Sequence, residues 1–266
     1  MNKPLCAGLC LLLLLLLLPL AALADGPFDG TWKVDMSKVQ MPKKPDVLLL
    51  KDGMYDCKTC VPPVSVKADG QDHAVSGHPY LDSIAVQVVD AHTVKETDKK
   101  GGKVVATSTT TVAPDGKMAK VDFSDSSNSS GAPVTGSAEL KQVAAGPAGA
   151  HAISGSWLTA SMANMSDNAT EITFKEEGGT LNMSAPTGQS YAAKLDGTEA
   201  PYKGDPGINS VTVKKTGAHS MVETDKRDGK VVAVLTSTVS ADGKTMDVHF
   251  DDKLRNRTMQ FVAVKQ

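Results

Sequence analysis

Residues 96–117 read ETDKKGGKVVATSTTTVAPDGK and residues 223–244 read ETDKRDGKVVAVLTSTVSADGK, identical at fifteen of 22 positions at a constant offset of 127. The offset persists outside the two strings. Asp69-Gly70 matches Asp196-Gly197, Ala91-His92 matches Ala218-His219, and Phe123 matches Phe250. Near the head of each copy stand Gly30-Thr31-Trp32 and Gly155-Ser156-Trp157, at an offset of 125. A period this long is not a solenoid repeat of about 20 to 50 residues. Each copy, about 115 residues long, has the size of a folding unit in its own right. The chain therefore divides into copies at 25–143 and 153–266, joined by an Ala/Gly/Pro stretch at 144–152.

Inside the copies the hydrophobic period is two. After the turn at Asp242-Gly243, Met246, Val248 and Phe250 alternate with Thr245, Asp247 and His249, and the matching face of the first copy is Ala119, Val121 and Phe123. Such alternation marks a half-buried strand. Asp-Gly pairs sit between β-branched runs, where glycine supplies the positive φ of a tight hairpin. Counting these runs predicts about eight or nine strands per copy at spacings of about eight to twelve residues, with no amphipathic helix. A long antiparallel sheet with one buried face closes on itself or packs as a sandwich, because open edges invite aggregation. The expected fold is all-β: two tandem antiparallel meander barrels, with β-sandwich lobes as the alternative.

The first 24 residues belong to neither copy. Lys3, the leucine run at 11–18 and the small-x-small pattern Ala22-Leu23-Ala24 before Asp25 read as a secretory signal peptide cleaved after Ala24. Pro19 interrupts an apolar run already short of the roughly 20 residues a membrane span needs. An exported protein of a bacterial periplasm or the extracellular space is expected. Without Lys3 the chain carries 27 basic and 30 acidic side chains, and its only arginines are Arg227, Arg255 and Arg257. A nucleic-acid partner would need basic clusters and arginine forks, so that class is set aside. No second apolar run is long enough for a membrane-spanning helix.

After the leader only Cys57 and Cys60 remain, as Cys57-Lys58-Thr59-Cys60. Such a pair can be redox-active, half a zinc site or a local disulfide. A zinc site needs two further ligands, and His73 and His78 are loosely spaced for that role. A redox pair usually opens a helix of a thioredoxin-like unit, whereas this one lies among strands. A structural disulfide is the preferred reading in an oxidising compartment, with thiol redox chemistry as its rival; no metal and no cofactor is implied. His92 and His219 occupy matching turn positions where a left-handed backbone is tolerated. The pairs Glu96-x-Asp98 and Glu223-x-Asp225 each share a strand face, as acid–base chemistry would require. Lysine and arginine follow at once, however, so a solvated, charge-balanced hairpin end is the simpler account. No phosphate loop, nucleophile elbow or metalloprotease motif occurs, and a non-enzymatic protein is expected.

The Gly-x-Trp entry at Gly30, Trp32 and at Gly155, Trp157, followed by a meander of this length, resembles the lipocalin-like, or calycin, barrels. It is most similar to the short secreted bacterial type, in which a Gly-Thr-Trp-Lys start precedes Asp-Gly-Lys hairpins. The resemblance implies that each tryptophan closes one barrel end and that the open end holds a small lipophilic ligand. Two other classes remain beside that one: an envelope protein with filled barrels and a structural or interaction role, and a redox protein using Cys57 and Cys60.

Overall fold

The computed structural model describes residues 26–266; the stretch 1–24, read from the sequence as a signal peptide, lies outside the described residues. The first copy contributes β1 (Gly30–Val34), β2 (Asp46–Lys51), β3 (Met54–Cys57), β4 (Val64–Lys67), β5 (His73–Ala74), β6 (Ser83–Val88), β7 (Thr93–Lys100), β8 (Lys103–Val112), β9 (Met118–Asp125) and β10 (Val134–Ala145). The second contributes β11 (Gly155–Ala163), β12 (Glu171–Glu177), β13 (Thr180–Ser184), β14 (Ser190–Lys194), β15 (Asp196–Lys203), β16 (Ser210–Lys215), β17 (Ser220–Arg227), β18 (Lys230–Val239), β19 (Thr245–Asp252) and β20 (Arg257–Lys265). Helical turns among the described residues are single 3-10 turns at Met36–Lys38 and Asp167–Ala169. The fold is thus all-β, with ten strands per copy rather than eight or nine. The excess includes β5, whose two residues are too short to show a period.

The strands form two antiparallel ten-stranded sheets. One closes completely, in the order β1-β12-β13-β14-β15-β16-β17-β18-β19-β20; the other runs β4-β3-β2-β11-β10-β9-β8-β7-β6-β5. The second sheet curls into a barrel with one seam, since its edge strands β4 and β5 share no ladder. Closure rules out sandwich lobes for the first sheet, and it hides the edges that would otherwise template aggregation.

The sheets and the sequence copies are not the same sets of residues. Strand β1, from the head of the first copy, lies between β12 and β20 of the second copy, with Trp32 opposite Ile172 and Lys265. Strand β11, from the head of the second copy, lies between β10 and β2 of the first, with Trp157 opposite Gln142 and Asp46. The copies have exchanged their first strands. The two Gly-x-Trp segments are chemically alike, so either can complete either barrel. The crossing segment after β1 carries Pro42 and Pro45, which hold it extended, and Gln40 bridges to Gln260 on β20. At the other crossing, Ala144 and Ala145 finish β10, and the His151 N–H bonds the Leu50 carbonyl, so much of 144–152 is held in place.

Each barrel has its own apolar core. In the closed barrel Phe28, Trp32, Leu181, Met183, Val211, Val213 and Met221 pack together, all nearly inaccessible to solvent. In the seamed barrel Leu50, Tyr55, Val64, Val86, Val94, Val112 and Trp157 do so. Both tryptophans are plugs: Nε1 of Trp32 donates to the Phe28 carbonyl at 2.7 Å and Nε1 of Trp157 to the Ile153 carbonyl at 2.8 Å. Gly155 precedes its tryptophan with φ 140°, and a Cβ there would stand 2.5 Å from the Ala144 carbonyl oxygen. Only glycine fits.

Candidate functional site

Strand β17 alternates buried and half-buried residues, and its inward side chains are Met221, Glu223 and Asp225. On β7 the same parity places Val94, Glu96 and Asp98 inward. The expected solvated hairpin end is therefore overturned: both carboxylate pairs point into their barrels. The cations that seemed to balance them are engaged elsewhere. Lys99 bonds Asp72 and Lys226 bonds Glu199, each at 2.5 Å and at the same offset of 127.

The registers place these pairs far from the tryptophan plugs. Glu96 faces Ser108, Ser108 faces Phe123 and Phe123 faces Gly136, whereas Trp157 faces Gln142, six residues further along β10. In the closed barrel the row from Glu223 through Leu235 and Phe250 reaches Met259, again six residues from Lys265, which faces Trp32. At a strand rise of about 3.3 Å per residue, each pair sits roughly 20 Å along the ladder from its plug.

A phenol accompanies each pair. Tyr191 Oη donates to Glu223 Oε2 at 2.6 Å, and the Tyr55 hydroxyl bonds Glu96. The two tyrosines do not occupy matching positions. Cys57 faces Val64 as Met183 faces Tyr191, and Tyr55 faces Val66 as Leu181 faces Ala193. Tyr191 thus corresponds to Val64, and Tyr55 to Leu181. The hydroxyl reaches the glutamate from β14 in one barrel and from β3 in the other. Asp98 Oδ1 and Asp225 Oδ1, also matching, are buried oxygens without a hydrogen-bond partner.

Burial dominates the electrostatics. Desolvation, followed by repulsion from Asp98, pushes Glu96 up to about 7; desolvation and then Asp125 push Asp98 up to about 6. In the closed barrel desolvation raises both Glu223 and Asp225, and the neighbouring Glu223 raises Asp225 further. Burial likewise holds Tyr55 and Tyr191 in their neutral, donating form.

What differs is space. The closed barrel is filled around its pair by Tyr191 and Tyr202, whose rings lie 5.8 Å apart. The Tyr202 N–H bonds the Asn209 carbonyl as the Val75 N–H bonds that of Asp82, so Tyr202 corresponds to Val75. Two tyrosines of one barrel are valines in the other. There a cavity of about 290 Å³ opens, with Val64, Ile84, Glu96 and Asp98 on its first-copy side. Its far side comes from the closed barrel: Ile208, Arg227, Phe250, Leu254 and Arg255. The loop carrying His78 and Tyr80 completes the wall, and Tyr80 Oη donates to Asp205 Oδ1 across the barrels at 2.8 Å. Bidentate Arg257–Asp46 bonds at 2.7 and 3.2 Å tie the barrels at one further point. All three arginines of the chain thus lie where the two copies meet.

Of the residues singled out in the sequence, Cys57 and Cys60 are joined in a disulfide, and Cys60 lines the cavity. Trp32 and Trp157 are buried in the cores and line no cavity found among the described residues. His78, weighed in the sequence as a loosely spaced zinc ligand, is a wall of the cavity. His92 lies in a bend before β7 without a left-handed φ; among the described residues the non-glycine ones that adopt it are Asp52, Asn164, Asp228 and Asn256. Among the described residues no cluster of three or more His, Cys, Asp or Glu is placed to hold a metal ion, and no helix is long and apolar enough to cross a membrane. Neither protein-family models nor curated protein sequences give a match to this chain.

Proposed function

We propose that the protein is an exported, non-catalytic binding protein that holds a small lipophilic molecule in the cavity between its barrels. A barrel fold is compatible with binding, and the observation that carries the proposal is the cavity itself. Apolar side chains from both copies converge there on two half-buried carboxylates, Glu96 and Asp98. An apolar cleft with a few convergent polar groups of shifted pKa is the usual form of a small-molecule site. Its volume of about 290 Å³ is near the lower limit of such sites, which favours a small ligand. The exchanged strands support a lasting site, because the barrels cannot separate without withdrawing a strand from each sheet.

For the closed barrel, packed interior side chains favour a structural role as the wall of its neighbour's site. The test is the mass of the protein, purified from its native compartment, under native and then denaturing conditions. A non-covalent adduct that is absent from a Val64→Tyr variant is the expected result. A bare mass from both proteins, with no small molecule recovered by extraction, would overturn the proposal in favour of an envelope protein with filled barrels.

A further inference from the structure

The cavity has a polarity of its own. Asp98 carries a buried carboxylate oxygen that accepts no hydrogen bond, and an orphaned acceptor in a desolvated place is costly unless a donor arrives. Lys99, next in sequence, is bonded to Asp72. Around Asp98 and Glu96 stand Tyr55 on β3 and Asp125 on β9, and the cavity adds His78, Tyr80, Arg227, Asp252 and Arg255. Arg255 bonds Asp252 at 3.2 Å. Arg227 and Arg255 stand on the wall that the closed barrel supplies. The site is therefore acidic on one side, cationic on the other and apolar between.

The closed barrel supplies an internal control. Its matching pair, Glu223 and Asp225, also has an orphaned oxygen, Asp225 Oδ1, but it lies against Tyr191, which bonds Glu223 and packs on Tyr202. The pair in the seamed barrel has valines where those rings would be, and there Glu96 and Asp98 line the cavity.

From this arrangement, and resting on the reading of the cavity as a binding site, we infer that the ligand is a small amphipathic amine. Its ammonium group is held by Asp98 and Glu96, and its apolar body lies against Val64, Ile84, Ile208 and Phe250. An ammonium donates up to three hydrogen bonds, and charge-assisted bonds to a carboxylate are about twice as strong as neutral ones.

Calorimetric titration of the full mature protein with hexylamine, hexan-1-ol and hexanoate, equal in chain length, tests the inference. Hexylamine is expected to bind at least about tenfold more tightly than either analogue, a preference that Asp98→Asn removes without changing the far-ultraviolet spectrum. The amine affinity is expected to rise from pH 5 to pH 8 as the carboxyl pair ionises, with proton release on binding. If hexanol binds as well as hexylamine, or if hexanoate binds best and Arg227→Gln weakens it, the amine is excluded while the cavity stands as a binding site. If none of the three binds at millimolar concentration and Val64→Tyr changes nothing, both the amine and the binding reading fail.

Discussion

The two barrels share a fold, a plug and an acidic pair, yet one is closed and filled and the other is seamed and hollow at its mouth. The difference comes down to a few inward positions. Tyr191 and Tyr202 of the closed barrel face each other across β14 and β15 and zip those strands together. Val64 and Val75 stand in their places in the seamed barrel, where β4 and β5 form no ladder. Aromatic cross-strand pairs are among the stronger units of sheet stabilisation, and losing one opens both an edge and a space. The two like frames thus differ in side-chain volume at two strands, and the one with valines there borders the cavity.

The largest effect is expected from the exchanged strands. Trp32 stands in the first copy but plugs the second copy's barrel. Trp32→Ala should cost about 3–5 kcal/mol and abolish amide-exchange protection across β12 to β20 while β2 to β10 stay protected. Trp157→Ala should give the reverse pattern. Loss of protection within the mutated copy instead would show that the strands are not exchanged in solution.

Next comes the pH dependence. Burial raises Asp225 from its ordinary 3.8 to about 9 in the folded chain, so the folded state keeps a proton that the unfolded chain releases. That stabilising contribution is complete below the ordinary value and is lost as pH rises toward the folded one, at up to about 1.4 kcal/mol per pH unit for each group. Melting temperature should therefore fall from pH 5 to pH 8. Asp225→Asn should flatten the profile more than Asp98→Asn, because Asp98 is raised only to about 6. A wild-type profile without slope would show that the pair is solvated.

A smaller contrast separates the two phenols. Tyr191→Phe leaves Glu223 buried without its donor and should cost about 1–3 kcal/mol. Tyr55→Phe should cost less, since water entering the cavity can bond Glu96 in its place. Equal losses in chemical denaturation would mean that the seamed barrel is as dry as the closed one.

The fold was legible because period-two alternation and Asp-Gly turns are local signals, written twice. Exchange was not: Gly30-Thr31-Trp32 and Gly155-Ser156-Trp157 satisfy either barrel, and nothing local chooses between them. The acidic pairs were half legible. Val94 and Met221 lie on the same parity as Glu96, Asp98, Glu223 and Asp225, which marks that face as inward. The adjacent lysines pointed the other way, and only the fold reveals that Asp72 and Glu199 hold them. The cavity borders Val64, whose correspondence to Tyr191 is fixed by strand register rather than by any motif.

The smallest expected effect concerns Cys57 and Cys60, which have no counterpart in the closed barrel. Met183 fills the place of Cys57 there, and the turn from β13 to β14 needs no covalent tie because Tyr191 on β14 is bonded to Glu223 and paired with Tyr202. In the seamed barrel β4 is an edge with no partner on its outer side, and the bridge at its entry restrains the segment that borders the cavity. By the loop-closure relation a bridge over so short a span contributes at most about 2 kcal/mol. The Cys57→Ser, Cys60→Ser variant should therefore fold, melt slightly earlier and lose exchange protection in β3 and β4 before any other strand. Any ligand should be held more weakly but not lost, since Cys60 is one wall among many. An unchanged melting temperature with a complete loss of cellular function would instead assign the pair to thiol chemistry, and the second barrel's lack of cysteines would then mark that chemistry as a property of the hollow barrel alone.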